Sequence, residues 1–338
     1  MSHRHHFFDR GVIVDLRSPV QAFSLDAGDS ASIERWRKEM DRAFPPLTIQ
    51  PDKPAEFTAS YRAAGTVDLQ VSDMRANAHT VERLPGKVTE RNLGYYKISY
   101  QVSGTGIMTQ GNRELVLNPG TIAVYDTARP YDLHFTDEYR FIVAMFPKSS
   151  LDLPAGLASE LTAYPVDGNS GTGGIVSSYL LSLVDNLDWL AGPTGGRLAR
   201  TGLDLLSTLV ADELDSSIGP RGLDRKSMLV EMCYYINDHL GDTNLSPETI
   251  AAAHFVSTRH LHNIFREAGV TVAQWIKQRR LQECRRDLAD PLMAGISVST
   301  IATKWGLDDP GYFSRIFRES FGASPRQWRQ DALLRTVA

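Results

Sequence analysis

The feature that most limits how this chain can fold is a segment that occurs twice. Ile301 to Arg329 reads IATKWGLDDPGYFSRIFRESFGASPRQWR, and about fifty residues upstream Ile250 to Trp275 reads IAAAHFVSTRHLHNIFREAGVTVAQW. Ile250-Ala251 matches Ile301-Ala302, Ile264-Phe265-Arg266-Glu267 matches Ile316-Phe317-Arg318-Glu319, and the copies close on Trp275 and Trp328. Repetition of one supersecondary unit at a fixed spacing implies a single domain built by duplication. The downstream copy has the pattern of a helix-turn-helix. Ile301-Ala302 and Trp305 give a short amphipathic helix, Gly306 breaks it, and Asp308 or Asp309 caps a second helix that opens at Pro310. Phe313, Ile316, Phe317 and Phe321 recur at helical spacing and are expected to be buried, which turns Tyr312, Arg315, Arg318 and Glu319 elsewhere.

A helix pinned by its apolar side and presenting arginine on the other suits a DNA groove, because arginine can bond both O6 and N7 of a guanine. A structural helix pair shows the same stripe, and the duplication is what tips the reading towards DNA. Charge agrees with this placement. The net charge of -4 conceals an asymmetry: from Arg221 onward there are 16 Lys plus Arg against 13 Asp plus Glu, while the first 220 residues carry 20 against 27. Between Arg259 and Arg286 stand seven cations, Arg259, Arg266, Lys277, Arg279, Arg280, Arg285 and Arg286, against Glu267 and Glu283. A polyanion partner is therefore expected at the C-terminal part.

The chain of 338 residues has room for two domains. It holds no run of eighteen apolar residues, and MSHRHHFFDRG has no signal-peptide core behind it, so a cytoplasmic location is expected and no membrane. Cys233 and Cys284 each fall in a predicted helix without a CxxC partner, which predicts buried reduced thiols.

Residues 1 to 30 show little periodicity and are expected to form an arm. Ser32 to Leu47 places Ile33, Trp36, Met40 and Phe44 on one helical stripe, ended by Pro45-Pro46. From Glu56 to Phe146 the pattern turns strand-like: Phe57 to Tyr61, Val67 to Val71, Tyr95 to Val102, Gly106 to Thr109, Leu115 to Leu117, Thr121 to Tyr125 and Arg140 to Met145 are rich in β-branched or aromatic residues and separated by turns. Such spacing predicts a jelly-roll barrel of the cupin kind, at about 50 to 150. A small molecule in its mouth is expected to meet Tyr96, Ser99, Gln101, Met108, Tyr125 and Phe146, although alternation does not say which face looks inward. The strand region has only His79 and His134, not the clustered histidines that iron or manganese requires, and no nucleophile motif is present. No metal, cofactor or catalysis is expected. Val176, Leu180, Leu183, Leu187 and Leu190, then Leu203, Leu206, Val210 and Leu214, stripe two helices at about 175 to 214 that are expected to serve dimerisation or internal packing.

The resulting class is α+β with two domains: residues 1–218 as a cupin-like barrel with dimerisation helices, 219–227 as linker, and 228–330 as an all-α domain with two helix-turn-helix units. The stretch from about Met228 to Arg329 closely resembles the DNA-binding domain of AraC/XylS-type transcriptional regulators, through Ile301-Ala302, Gly306-Leu307, Asp309, Tyr312-Phe313-Ser314-Arg315, Phe317, Phe321-Gly322 and Ser324-Pro325. Gly311 departs from the pattern, which has a side chain there. The N-terminal part resembles the cupin-like ligand-binding domain of one branch, through Trp36-Arg37 and Ala43-Phe44-Pro45-Pro46-Leu47.

The resemblance implies a homodimeric, effector-controlled DNA-binding regulator, more often an activator, that meets RNA polymerase. It carries base reading to Arg259, His262, Asn263, Tyr312 and Arg315. Phosphate contacts are expected from Arg266, Lys277, Arg280, Arg318 and Arg326. Two such helices would enter successive major grooves, about 34 Å apart on straight DNA. A metal-free cupin enzyme fused to a DNA-binding domain, or a regulator without an effector, would be the alternatives.

Overall fold

A computed structural model of the protein describes residues 20–26, 32–88, 94–154, 157, 161–217 and 223–337. Most of the expected arm at 1–30 and part of the expected linker, 219–222, lie outside these residues. Within the arm, however, Gln21–Leu25 is a strand, and within the linker Leu223–Asp238 already begins a helix. The chain forms two compact units. Among the described residues, those from 20 to 151 and from 161 to 213 fall in one, and 152–154, 157 and those from Leu214 onward fall in the other.

Among the described residues, twelve strands build the first unit: β1 (Gln21–Leu25), β2 (Thr48–Pro51), β3 (Ala59–Gly65), β4 (Gln70–Ala76), β5 (His79–Arg83), β6 (Tyr95–Ser103), β7 (Gly106–Gln110), β8 (Arg113–Leu117), β9 (Thr121–Asp126), β10 (Tyr131–Phe135), β11 (Tyr139–Pro147) and β12 (Pro165–Asp167). They are arranged in a seven-stranded sheet, β1-β3-β4-β11-β6-β9-β12, and a five-stranded sheet, β2-β5-β10-β7-β8. The expected cupin-like barrel thus takes the form of two sheets. The chain changes sheet at Asn118-Pro119-Gly120, where Pro119 supplies no N–H and Gly120 takes a φ of 94°, so one ladder stops and the other starts.

The apolar core between the sheets includes Met108, Leu115, Tyr125, Tyr131, Phe135, Tyr139, Phe141, Val143 and Met145, and the helix Ser32–Ala43 closes one side of it with Trp36 and Met40. A register shift between Arg140 and Phe141 in the β11–β6 ladder sets Phe141, Val143 and Met145 on the core face. The helices Gly171–Asp185, Leu187–Ala191 and Gly195–Ser217 follow, and every residue of the two apolar stripes is at most 4% exposed within the chain. Those stripes are therefore covered by the chain itself.

The second unit is helical. Two hairpins, Pro247–Ala253 with Thr258–Glu267 and Val298–Lys304 with Pro310–Phe321, flank the long helix Val272–Ala289. Each start is chemically marked. Ser246 and Thr271 form capping boxes with Thr249 and Gln274, Ser257 accepts from the His260 amide, and Ser297 accepts from that of Thr300. Cys233 and Cys284 are buried free thiols, and burial pushes both well above the ordinary thiol range.

Candidate functional sites

In the downstream hairpin Gly306 has a φ of 67° and turns the chain between the two helices. The Asp309 carboxylate then accepts from the Gly311 amide at 2.8 Å and the Tyr312 amide at 2.9 Å, which fixes the start of the second helix. Phe313, Ile316 and Phe317 are buried against Leu281, Cys284, Leu288, Ile301 and Trp328. That anchoring leaves Tyr312, Arg315 and Arg318 exposed, with the Arg315 guanidinium 5.6 Å from the centre of the Tyr312 ring. An open hollow at this corner is lined by Asp309, Gly311, Tyr312 and Arg315.

The upstream hairpin repeats the design. Leu261, Ile264 and Phe265 are buried, Arg259, His262 and Arg266 are exposed, and Asn263 is half-buried, where its side-chain oxygen accepts from Arg266. The copies differ at one turn position. Phe255 stands where the downstream copy has Gly306; it carries a φ of 55° and is 96% exposed. Holding a side chain in left-handed backbone costs about 1 kcal/mol or more and nothing packs on the ring to offset it. Phe255→Gly is therefore expected to stabilise the chain by about 0.5 to 1 kcal/mol in urea unfolding, and unchanged or lower stability would show that the ring has a partner.

The cations of the long helix divide in a way their spacing does not reveal. Lys277 is exposed. Arg279 is 1% exposed, paired with Asp152 and Glu283, and donates to the Asn237 side-chain oxygen. Arg285 is buried, with its guanidinium 5.5 Å from the centre of the Phe321 ring and 5.7 Å from that of Trp328, and Arg286 pairs with Glu283 at 2.7 Å. Arg280 donates to three carbonyls: Leu240 at 2.9 Å, Gly306 at 3.0 Å and Asp242 at 2.6 Å. These contacts use one N–H of each guanidinium nitrogen inside the unit. Arg318 and Arg326 are exposed.

The first unit contains a hollow of about 30 Å³ between its sheets, lined by aromatic and aliphatic side chains together with His79 and Lys97. Of the six expected pocket residues only Tyr125 lines it. Met108 lies in the same core beyond the hollow. Ser99 and Gln101 follow Lys97 on its face of β6 by alternation, and their side chains reach the carbonyls of Ala123 and Ser103. Tyr96 and Phe146 are buried on the opposite face, with ring centres 6.4 Å apart.

Lys97 was not legible as a site residue. It is 3% exposed, donates to the Tyr131 hydroxyl at 3.1 Å, and holds its ammonium 4.2 Å from the Phe44 ring centre. Burial, assisted by the charge of Arg83, lowers its pKa to about 7. His79, packed among the rings of Phe57, Phe135 and Tyr139, is lowered to about 4 by burial. A lysine inside an otherwise buried strand was the only signal the sequence offered.

Two capped hairpins with buried apolar faces and exposed basic faces, on one helical unit, define a DNA-binding transcription regulator of the double helix-turn-helix class. An AraC-binding-like domain model matches residues 36–211 and a helix-turn-helix domain model matches 250–331, so the chain belongs to the AraC family of transcriptional regulators. Among its relatives, the transcriptional activator NphR of Rhodococcus sp is 29% identical over 326 residues, covering 96% of this chain and 94% of that one. The arabinose operon regulatory protein of Escherichia coli K12 is 25% identical, over 71% of this chain and 82% of its own. The crystal structure of the AraC-like transcriptional activator CuxR has the same fold, with a TM-score of 0.51 at 21% identity, across 86% of this chain and all of that one.

Proposed function

We propose that this regulator is an activator whose N-terminal unit binds a small effector and thereby changes how the C-terminal unit engages DNA. The observation that carries the reading is the pair of exposed basic helix faces, Arg259 with His262 and Tyr312 with Arg315, each held by a buried apolar face within one unit. Arg259, His262, Asn263, Tyr312 and Arg315 read bases. Arg266, Lys277, Arg318 and Arg326 meet phosphates, whereas Arg280 serves the fold through its three carbonyls. The names of NphR and CuxR as activators support the direction of control.

The chain acts as a regulator and not as an enzyme, works in the cytoplasm as a homodimer and contacts RNA polymerase. The reading of its relatives as transcription regulators supports this, and among the described residues no helix is long and apolar enough to cross a membrane. Pairing of two copies would use surface other than the leucine stripes, since these are buried within the chain.

The test is selection of bound DNA fragments by the purified full-length chain, with and without a metabolite panel, followed by titration across salt. A defined operator is expected, with affinity falling about a thousand-fold or more between roughly 50 and 200 mM salt if six or more phosphates are contacted. Enrichment of no sequence, or an affinity indifferent to salt, would remove the reading. An operator whose occupancy responds to no metabolite would remove the effector from it.

A further inference from the structure

We infer that the hollow between the two sheets binds a small aromatic carboxylate, with its anionic group on the Lys97 ammonium and its ring among Phe44, Tyr125 and Tyr131. The inference rests on the reading that the N-terminal unit senses an effector and adds the chemical class of that effector.

The first reason is uncompensated buried charge. Lys97 and Arg83 are 3% and 1% exposed, and among the described residues neither has a carboxylate within ion-pair distance. Lys97 uses one of its three donors, on the Tyr131 hydroxyl. Arg83 donates to the carbonyls of Thr127 and Pro46, and its Nη2 has no partner. Arg83 and Tyr131 face each other in the β5–β10 register, so Tyr131 stands at both cations. A charge removed from water is costly unless paired, which shows in the lowered pKa of Lys97, and an anion brought by a ligand would hold the lysine in its charged form.

The second reason is the lining. The hollow presents Trp36, Phe44, Tyr125, Tyr131, Tyr139 and Phe141 among its walls, and no Asp, Glu, Asn, Gln, Ser or Thr side chain. A sugar would bury hydroxyls there without enough partners, and a phosphate dianion would demand more donors than the walls offer. A planar ring finds apolar and aromatic walls on every side, and one carboxylate matches the free donors of Lys97.

The third is the position of the hollow in the fold. At about 30 Å³ it is smaller than a ring, so entry displaces lining side chains. Met40 and Met74 are unbranched and can move at low cost. Trp36 and Met40 belong to the helix Ser32–Ala43 and Phe44 follows it directly, so a ring arriving beside Phe44 presses on that helix. Occupancy is thereby converted into displacement of a named element.

The test is thermal unfolding of the full-length chain with sodium benzoate, phenylacetate and cyclohexanecarboxylate at millimolar concentration, against benzamide and arabinose. Benzoate or phenylacetate is expected to raise Tm by about 2 to 5 °C, with cyclohexanecarboxylate weaker and with no response to benzamide, which has the shape without the charge, or to arabinose. Lys97→Met is expected to keep cooperative melting and lose the response, and Tyr131→Phe to weaken it several-fold. Equal shifts with benzamide and benzoate, a Lys97→Met protein that still responds, or no shift with any carboxylate would overturn the assignment. Should Lys97→Met fail to fold, the benzoate and benzamide pair on the unaltered chain still decides. DNA binding by the same preparation separates the two levels. An operator-binding chain that ignores carboxylates loses only this ligand class, while a chain that binds no operator loses the function.

Discussion

Arg280→Ala is expected to lower the free energy of unfolding by about 2 to 4 kcal/mol, measured in urea, because it removes a charged group bonded to three backbone carbonyls. The loss is larger than for an ordinary surface arginine because the three carbonyls come from two turns far apart in sequence. Leu240 and Asp242 lie in the turn that follows the helix Leu223–Asp238 and Gly306 is the turn of the downstream hairpin, so one guanidinium ties both to the long helix. A Cβ at Gly306 would lie 2.7 Å from the Arg280 Cζ, which makes the glycine part of the same clamp. Operator affinity should fall with stability, since the two reading helices lose their common frame, while the salt slope stays unchanged. Arg280→Lys should recover little, as an ammonium cannot span three acceptors in a fixed fork. Full stability with a slope shallower by about one would instead make Arg280 a phosphate contact.

Arg315→Ala is expected to cost about 1 to 3 kcal/mol in operator binding and to relax preference at one base pair, with unfolding stability within about 0.5 kcal/mol of the parent. Its side chain is exposed, stacked near Tyr312, and supported from behind by Phe313, Ile316 and Phe317. Removing it would take away the proposed base contact and no scaffold. Binding selections on randomised operator positions would reveal the relaxed base. An equal loss on operator and random DNA would make Arg315 a phosphate contact and leave base reading to Tyr312 and the upstream helix.

Most of the helical unit was legible in its residues. Ser246, Ser257, Thr271 and Asp309 are local caps, and Phe313, Ile316 and Phe317 follow the helical period, so neither needed a distant partner to be read. The long helix was harder, because it is buried on nearly all sides and its charged residues give no clear face. Asp152, which joins Arg279, is far away in sequence, and nothing local announces it. In the sheet unit the strands at Tyr95–Ser103 and Thr121–Asp126 could be read, whereas His79–Arg83 and Tyr131–Phe135 could not, as each carries polar residues in an alternation too short to stand out.

Alternation assigned Tyr96 and Lys97 to opposite faces of one strand without saying which face was inside. Only the packing of two sheets decided that, and it exchanged Tyr96 for Lys97 as the residue at the hollow. The sequence by itself determined the duplication, the capped helices and their apolar faces, because those depend on neighbours three or four residues away. The tertiary structure decided which cations stay exposed, which clamp the fold and which, Lys97 and Arg83, lie buried without a counter-ion among the described residues, because a charge is paired by whatever the fold brings beside it.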